Sequence, residues 1–318
     1  VIICIIIQLP RRGIMEDIFY PSADGKHTVH AVIWRPEGRP RAVLQIIHGM
    51  EEYAARYDGF ARAAAECGIL VCAEDHLGHG LTAGEGELGH FPKGGDELVL
   101  ADIRTLTLKA KELAPGAPVI IMGHSMGSFF CRVYISRFGR ELAGAVIMGT
   151  GYKGALTLGA GKLVSGLLGG LRGRGKRSGL VQKLAFGAYN RRFAPERTPC
   201  DWLSADEGNV DRYIADGLCG FGFTYGGYSG LFAIMAKACA KKTFFSTPQE
   251  LPLYIVSGGD DPVGDYGRGV RKVCDMYKSA GLEPRLKLYE GARHEILNDF
   301  CREEATADLL AFIDDCIG

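Results

Sequence analysis

The chain has 318 residues, 47% of them apolar and 23% charged, and its 37 basic side chains balance 37 acidic ones. That profile belongs to a globular protein with ample core; it excludes collagen-like, disordered and membrane-spanning classes, and the zero net charge gives no pointer to nucleic acid. Ten cysteines lie scattered without a C-x-x-C pair. This disfavours zinc ribbons and redox motifs and reads as reduced cysteines packed as small apolar residues in a cytoplasmic protein.

The first segment, Val1 to Leu9, is almost wholly aliphatic and is followed by Pro10, Arg11 and Arg12. Nine residues are too few to span a bilayer, which takes about 20. A secretory signal carries its positive charge before the apolar run, not after it. We therefore read Met15 as the start and residues 1–14 as a non-native extension. From Glu16 onward, apolar alternation on either side of Asp24-Gly25 predicts an antiparallel hairpin.

A β/α rhythm follows. Ala42–Ile47 is a continuous apolar run suited to a strand buried on both faces. Tyr57–Cys67 predicts a helix, Ile69–Ala73 a strand, and Asp96–Leu113 a helix ended by Pro115-Gly116. Val119–Met122, Met126–Phe138 and Ala143–Met148 predict strand, helix and strand. The rhythm breaks near Gly149 and resumes with a strand at Leu253–Val256, a helix at Tyr266–Ser279, a strand at Arg285–Tyr289 and a helix at Glu303–Cys316. This alternation specifies an α/β fold, a mostly parallel sheet flanked by helices. Residues 15–150 and 245–318 are assigned to its core, and residues 151–244 to an insertion. From Gly151 to Arg197 the insertion carries ten Lys/Arg against Glu196 alone, a local charge of +9. A basic, leucine-containing stretch of this kind suits transient contact with a membrane surface, or a solvated face.

The chemistry centres on Gly123-His124-Ser125-Met126-Gly127. This G-x-S-x-G pattern follows one predicted strand and opens a helix, the setting of a nucleophile elbow. A serine needs a base, and in enzymes built on such an elbow the chain order is serine, acid, histidine. Seven of the eight histidines precede Ser125, so His294 is the candidate base. The orienting acid should follow strand Leu253–Val256; Asp261 is preferred over its neighbour Asp260, with Asp265 remote. The backbone N–H groups of Met50, after the first buried strand, and of Met126 are the candidate oxyanion hole. His48 suits a buttress of that loop or a place in the substrate pocket, and Phe221, Phe223, Tyr225 and Tyr228 are further candidates for pocket wall. Asp75-His76-Leu77-Gly78-His79-Gly80 offers too few ligands for a metal and reads as a structural loop. No metal or organic cofactor is called for.

Four stretches together carry a resemblance. His48-Gly49-Met50-Glu51-Glu52-Tyr53 with Arg56-Tyr57, Asp75-x-x-Gly78-His79-Gly80, Gly123-His124-Ser125-Met126-Gly127 and Gly291-x-Arg293-His294-Glu295 resemble the monoacylglycerol lipase and lysophospholipase group of α/β-hydrolases, of the serine aminopeptidase S33 kind. The resemblance implies an eight-stranded α/β-hydrolase fold, a helical cap or lid inserted after the sixth strand, and an apolar acyl channel. It also implies hydrolysis of monoacylglycerols, lysophospholipids or related carboxylic esters. Tyr53, where many relatives carry histidine, and the basic glycine-rich start of the insertion are departures that bear on substrate. The rival readings are an aminopeptidase or amidase on the same fold, and a non-catalytic ligand receptor.

Overall fold

The computed structural model describes residues 14–318. The aliphatic run Val1–Leu9 lies outside this range, as does all but residue 14 of the segment read as a non-native extension; Met15 lies within it. Strands β1 (Ile14–Pro21), β2 (Thr28–Arg35), β3 (Ala42–Ile47), β4 (Ile69–Glu74), β5 (Val119–His124), β6 (Gly144–Met148), β7 (Leu253–Gly258) and β8 (Arg285–Tyr289) form one sheet. Its order is β1-β2-β4-β3-β5-β6-β7-β8. The β1–β2 hairpin and the β2–β4 pair are antiparallel, and every later pairing is parallel. Strands β3 to β7 are buried at every position, as their largely apolar runs demand of a sheet covered on both faces.

Between these strands run α1 (Asp58–Glu66), α2 (Gly95–Leu113) and α3 (Met126–Phe138), with α9 (Arg268–Ser279) and α10 (Arg302–Ile317) near the end of the chain. Helix α3 is buried on nearly all sides from Met126 to Ile135, which fixes its first turn against the middle of the sheet. After β3 the chain crosses to β4 on one side, then returns to β5 on the other. The carboxyl ends of β3 and β5 therefore flank a topological switch point, the place where open α/β sheets leave a crevice.

From β6 to β7 the chain forms α4 (Ala155–Arg172), α5 (Gly179–Phe186), α6 (Glu207–Ala215), α7 (Tyr225–Cys239) and α8 (Lys241–Ser246). The glycine-rich stretch is thus helical. Glycine costs a helix about 1 kcal/mol relative to alanine, yet α4 carries five. Two of them let α4 approach α7: a Cβ on Gly161 would stand 3.0 Å from the Phe232 ring, and one on Gly169 would stand 3.1 Å from Tyr225 Cβ. Helix α7 in turn buries Tyr228, Leu231 and Ile234 in the same cluster as Phe129, Phe130 and Val133 of α3.

One buried acid makes the fold sensitive to pH. Glu74, at the end of β4, accepts a hydrogen bond from Tyr20 Oη and lies 3.3 Å from His76 Nδ1. Burial pushes its carboxyl from 4.5 up to about 8, although the bond from Tyr20 opposes this. The unfolded chain releases this proton near 4.5 and the folded chain keeps it. The contribution to stability is therefore complete at low pH and is lost as pH rises toward 8. Glu74→Gln, which stays neutral like the protonated acid at any pH, is expected to gain stability over the parent at about pH 8.5 and little at about pH 5. Urea denaturation at both pH values checks this; equal differences at the two would contradict it.

Candidate active site

Ser125 stands between β5 and α3 with φ 53° and ψ −119°, a backbone conformation rare for any residue but glycine. Its N–H donates to the Met148 carbonyl at 3.0 Å, which anchors the turn to the end of β6. The next turn of α3 presses on β3: a Cβ on Gly127 would lie 2.5 Å from the His48 carbonyl oxygen, so only glycine fits. Close packing of this kind brings the loop after β3 beside the serine. Met50, Ser125 and Met126 line one cavity of about 610 Å³, together with His294. Among the described residues, no hydrogen bond engages the amide N–H of Met50 or of Met126.

His294 follows β8 and is 2% exposed; its Nδ1 lies 3.0 Å from Asp261 Oδ2. Asp261 is wholly buried in the loop after β7 and accepts two further hydrogen bonds, from Ser257 Oγ at 2.9 Å and the Val263 amide at 2.8 Å. Burial alone would raise its carboxyl, but the imidazole of His294 and these donors hold it below the usual carboxylate range. It is therefore ionised throughout the neutral range. The neighbouring aspartates are otherwise employed. Asp265 pairs with Arg268 at 2.9 Å, and among the described residues no hydrogen bond joins the Asp260 carboxylate to His294, although its backbone amide donates to the Ala292 carbonyl at 2.9 Å.

A buried polar network surrounds these residues. Glu52 Oε1 accepts from the Gly49 amide at 2.6 Å and from Tyr57 Oη at 2.9 Å, and lies 3.0 Å from His124 Nδ1. Its Oε2 accepts from Arg56 at 3.0 Å. Arg56 also makes a two-pronged bridge to Glu295 at 2.7 and 2.8 Å, and Glu295 accepts from Asn209 of α6 at 2.7 Å. His124 Nε2 faces the His294 carbonyl oxygen at 3.3 Å, so both of its ring nitrogens meet acceptors. Burial would lower its pKa, yet Glu52 raises it above the ordinary histidine value, while His124 and Arg56 hold Glu52 well below its own against burial. One set of charges thus joins the loop after β3, the residue before Ser125 and the residue after His294.

The sequence placed Glu52, Arg56, Tyr57 and Glu295 inside its motifs without giving them a task. Their proximity arises from three loops meeting, and the cue available was a run of polar side chains directly after a wholly apolar strand. Glu52→Gln leaves Arg56 and His124 with one carboxylate fewer in a buried site. The expected loss of unfolding free energy is about 3–5 kcal/mol, measured by urea denaturation; a change below about 1 kcal/mol would sink the network's role.

The five candidate wall residues lie away from this cavity. His48, Phe223, Tyr225 and Tyr228 are buried in the core, and Phe221 packs beside them; none lines the cavity. His48 stacks on His76 at 3.9 Å and accepts the His76 amide at 3.0 Å, which leaves it to support the loop. Phe221 and Phe223 each pack on His79 at 5.4 Å, and Phe223 also meets Phe91. Aromatics spaced by glycines suit a packed corner as well as a pocket. The cavity draws instead on Phe129 of α3, Phe186 of α5, Leu231 and Met235 of α7, and Trp202. Trp202 also packs 5.2 Å from the His294 ring.

The family model described as serine aminopeptidase, S33 (Hydrolase_4) matches residues 38–300. The chain belongs to this family. A monoacylglycerol lipase of Mycolicibacterium smegmatis is 29% identical over 274 residues, 84% of this chain and 86% of the relative. The human monoglyceride lipase is 25% identical over 278 residues, 86% of this chain and 81% of the relative. Among solved structures, a thermostable carboxyl esterase from Bacillus coagulans in complex with glycerol superposes with a TM-score of 0.90 at 30% identity, covering 96% of this chain and 99% of the other. These relatives are ester hydrolases, and the S33 chain described here is an α/β-hydrolase of their ester-cleaving kind.

Proposed function

We propose that Ser125, His294 and Asp261 are a catalytic triad that cleaves carboxylic esters through an acyl-enzyme. His294 takes the proton as Ser125 Oγ attacks the ester carbonyl. Asp261 holds the Nδ1–H tautomer and stabilises the imidazolium without itself taking the proton. The Met50 and Met126 amides point to the oxyanion, with the positive end of the α3 dipole behind Met126. The alcohol leaves with the proton from His294, and water then releases the acid. The observation that carries this reading is the pairing of the His294–Asp261 contact with a serine held at positive φ on the same cavity wall.

The substrate class we propose is a monoacylglycerol or lysophospholipid, because Phe129, Phe186, Leu231 and Met235 give the cavity an apolar stretch suited to an acyl chain. We read residues 151–244 as a cap over this cavity and the protein as cytoplasmic. Helices α4 and α5 support transient contact of that cap with lipid. Leu156, Leu171 and Leu184 are 92%, 83% and 73% exposed, and Lys162, Arg172 and Lys183 lie among them. Exposed leucines set among basic side chains favour an anionic interface. Among the described residues, no helix is long and apolar enough to cross a membrane.

Hydrolysis of p-nitrophenyl esters from acetate to palmitate, followed by monoacylglycerol and lysophospholipid assays, tests the reading. Activity peaking at medium or long acyl chains is expected. Activity confined to acetate and butyrate would overturn the lipase assignment.

A further inference from the structure

The cavity wall contains a carboxyl for which ester cleavage itself has no use. Glu51 directly follows Met50, is 8% exposed and lines the cavity. Its φ of 59° is a left-handed conformation that costs a glutamate some strain. Three hydrogen bonds hold it there. Its amide donates to His79 Nε2 at 3.3 Å, and its carbonyl accepts from Tyr213 Oη at 3.0 Å and from the Gly220 amide at 3.2 Å.

The carboxyl is left for the cavity. Among the described residues no side chain donates a hydrogen bond to it. Burial pushes it up to about 7, against the pull of the Gly222 amide and the Arg177 charge. Near neutral pH it can therefore both donate and accept. Gly222 is where its neighbours converge: Arg177 donates to the Gly222 carbonyl at 2.6 Å, and a Cβ on Gly222 would stand 3.4 Å from the Gln182 side-chain oxygen. The Tyr228 hydroxyl is buried without a hydrogen-bond partner, and burial and the Glu51 charge both push its pKa up. Tyr228 itself does not line the cavity; on the same helix Leu231 and Met235 do, about one and two turns farther along α7. The cavity is thus polar at the Glu51 end and apolar farther along α7.

We propose that Glu51, together with Gln182, forms a polar subsite that hydrogen-bonds the hydroxyls of a neutral polyol leaving group and so determines headgroup preference. This rests on the ester-hydrolase reading above. A charged headgroup fits the subsite poorly. The Glu51 carboxylate repels a phosphate, and Lys183 on the cavity wall, with Arg177 whose charge reaches Glu51, repels an ammonium.

The test compares kcat/KM for a monoacylglycerol, the ethyl ester and the lysophosphatidylcholine of one fatty acid, with active sites counted by fluorophosphonate titration. The parent enzyme is expected to favour the monoacylglycerol over both others by about tenfold or more. Glu51→Gly removes the carboxyl and suits the positive φ; it is expected to cut the monoacylglycerol-to-ethyl-ester ratio about tenfold. Glu51→Gln, which still donates and accepts, is expected to keep that ratio within about threefold. The subsite is overturned if the Gly variant keeps the parent ratio, or if the parent cleaves the three esters alike. Cleavage of none of them by the parent overturns the ester-hydrolase reading itself, and preference for an alanine p-nitroanilide would replace the polyol with an amine.

Discussion

Ser125→Ala is expected to lower kcat for ester hydrolysis by about 10^5-fold, since removing the nucleophile of a triad costs about as much as removing the whole unit. The residue's backbone makes a second effect measurable. At φ 53° any side chain is strained, by about 1–2 kcal/mol. Alanine keeps that strain, so its unfolding midpoint should match the parent. Ser125→Gly relieves it and should be more stable by about 1 kcal/mol while equally inactive. Enhanced stability with lost activity at one position is the signature of a strained nucleophile. Assays on a p-nitrophenyl ester alongside urea denaturation read both effects, and activity within about tenfold of the parent in either variant would contradict the assignment.

Asp261→Asn is the second large effect, expected at about 10^4-fold in kcat. The reason is visible in the three contacts of the carboxylate. Val263 donates to Oδ1, while Ser257 and His294 meet Oδ2. An asparagine that keeps its oxygen on the Val263 amide turns its NH2 toward His294. That stabilises the tautomer whose Nδ1 is bare, and leaves Nε2 protonated and unable to act as base. Asp260→Asn should change kcat by less than about threefold, because its side chain makes no contact with His294. Reversal of the two effects would move the acid to Asp260.

Much of this architecture was legible in the chain, for identifiable reasons. Strands β3 to β7 are apolar at nearly every position, and only a sheet covered on both faces accepts such runs. Helix α3 begins and ends where the sequence placed it, since Ser125 and Gly139 punctuate it. The sequence preferred Asp261 to Asp260, and the His294 contact is with Asp261; adjacent residues in a turn point in different directions. The pocket wall was not legible. Phe221, Phe223, Tyr225 and Tyr228 have the composition of a lining, but His79 and Phe91 supply a packed partner that no local pattern announces. The bridge from Glu52 through Arg56 to Glu295 was hidden for a similar reason. Its members are separated by 239 residues and meet only when three loops close over the carboxyl ends of the sheet.

The measurement that bears most directly on this account is reaction of the purified chain with a fluorophosphonate, followed by mass spectrometry of the intact protein and its peptides. One adduct per chain is predicted, on the peptide carrying Ser125, absent from Ser125→Ala and slowed in Asp261→Asn. An unmodified parent protein, or an adduct on a different serine that survives Ser125→Ala, would contradict it.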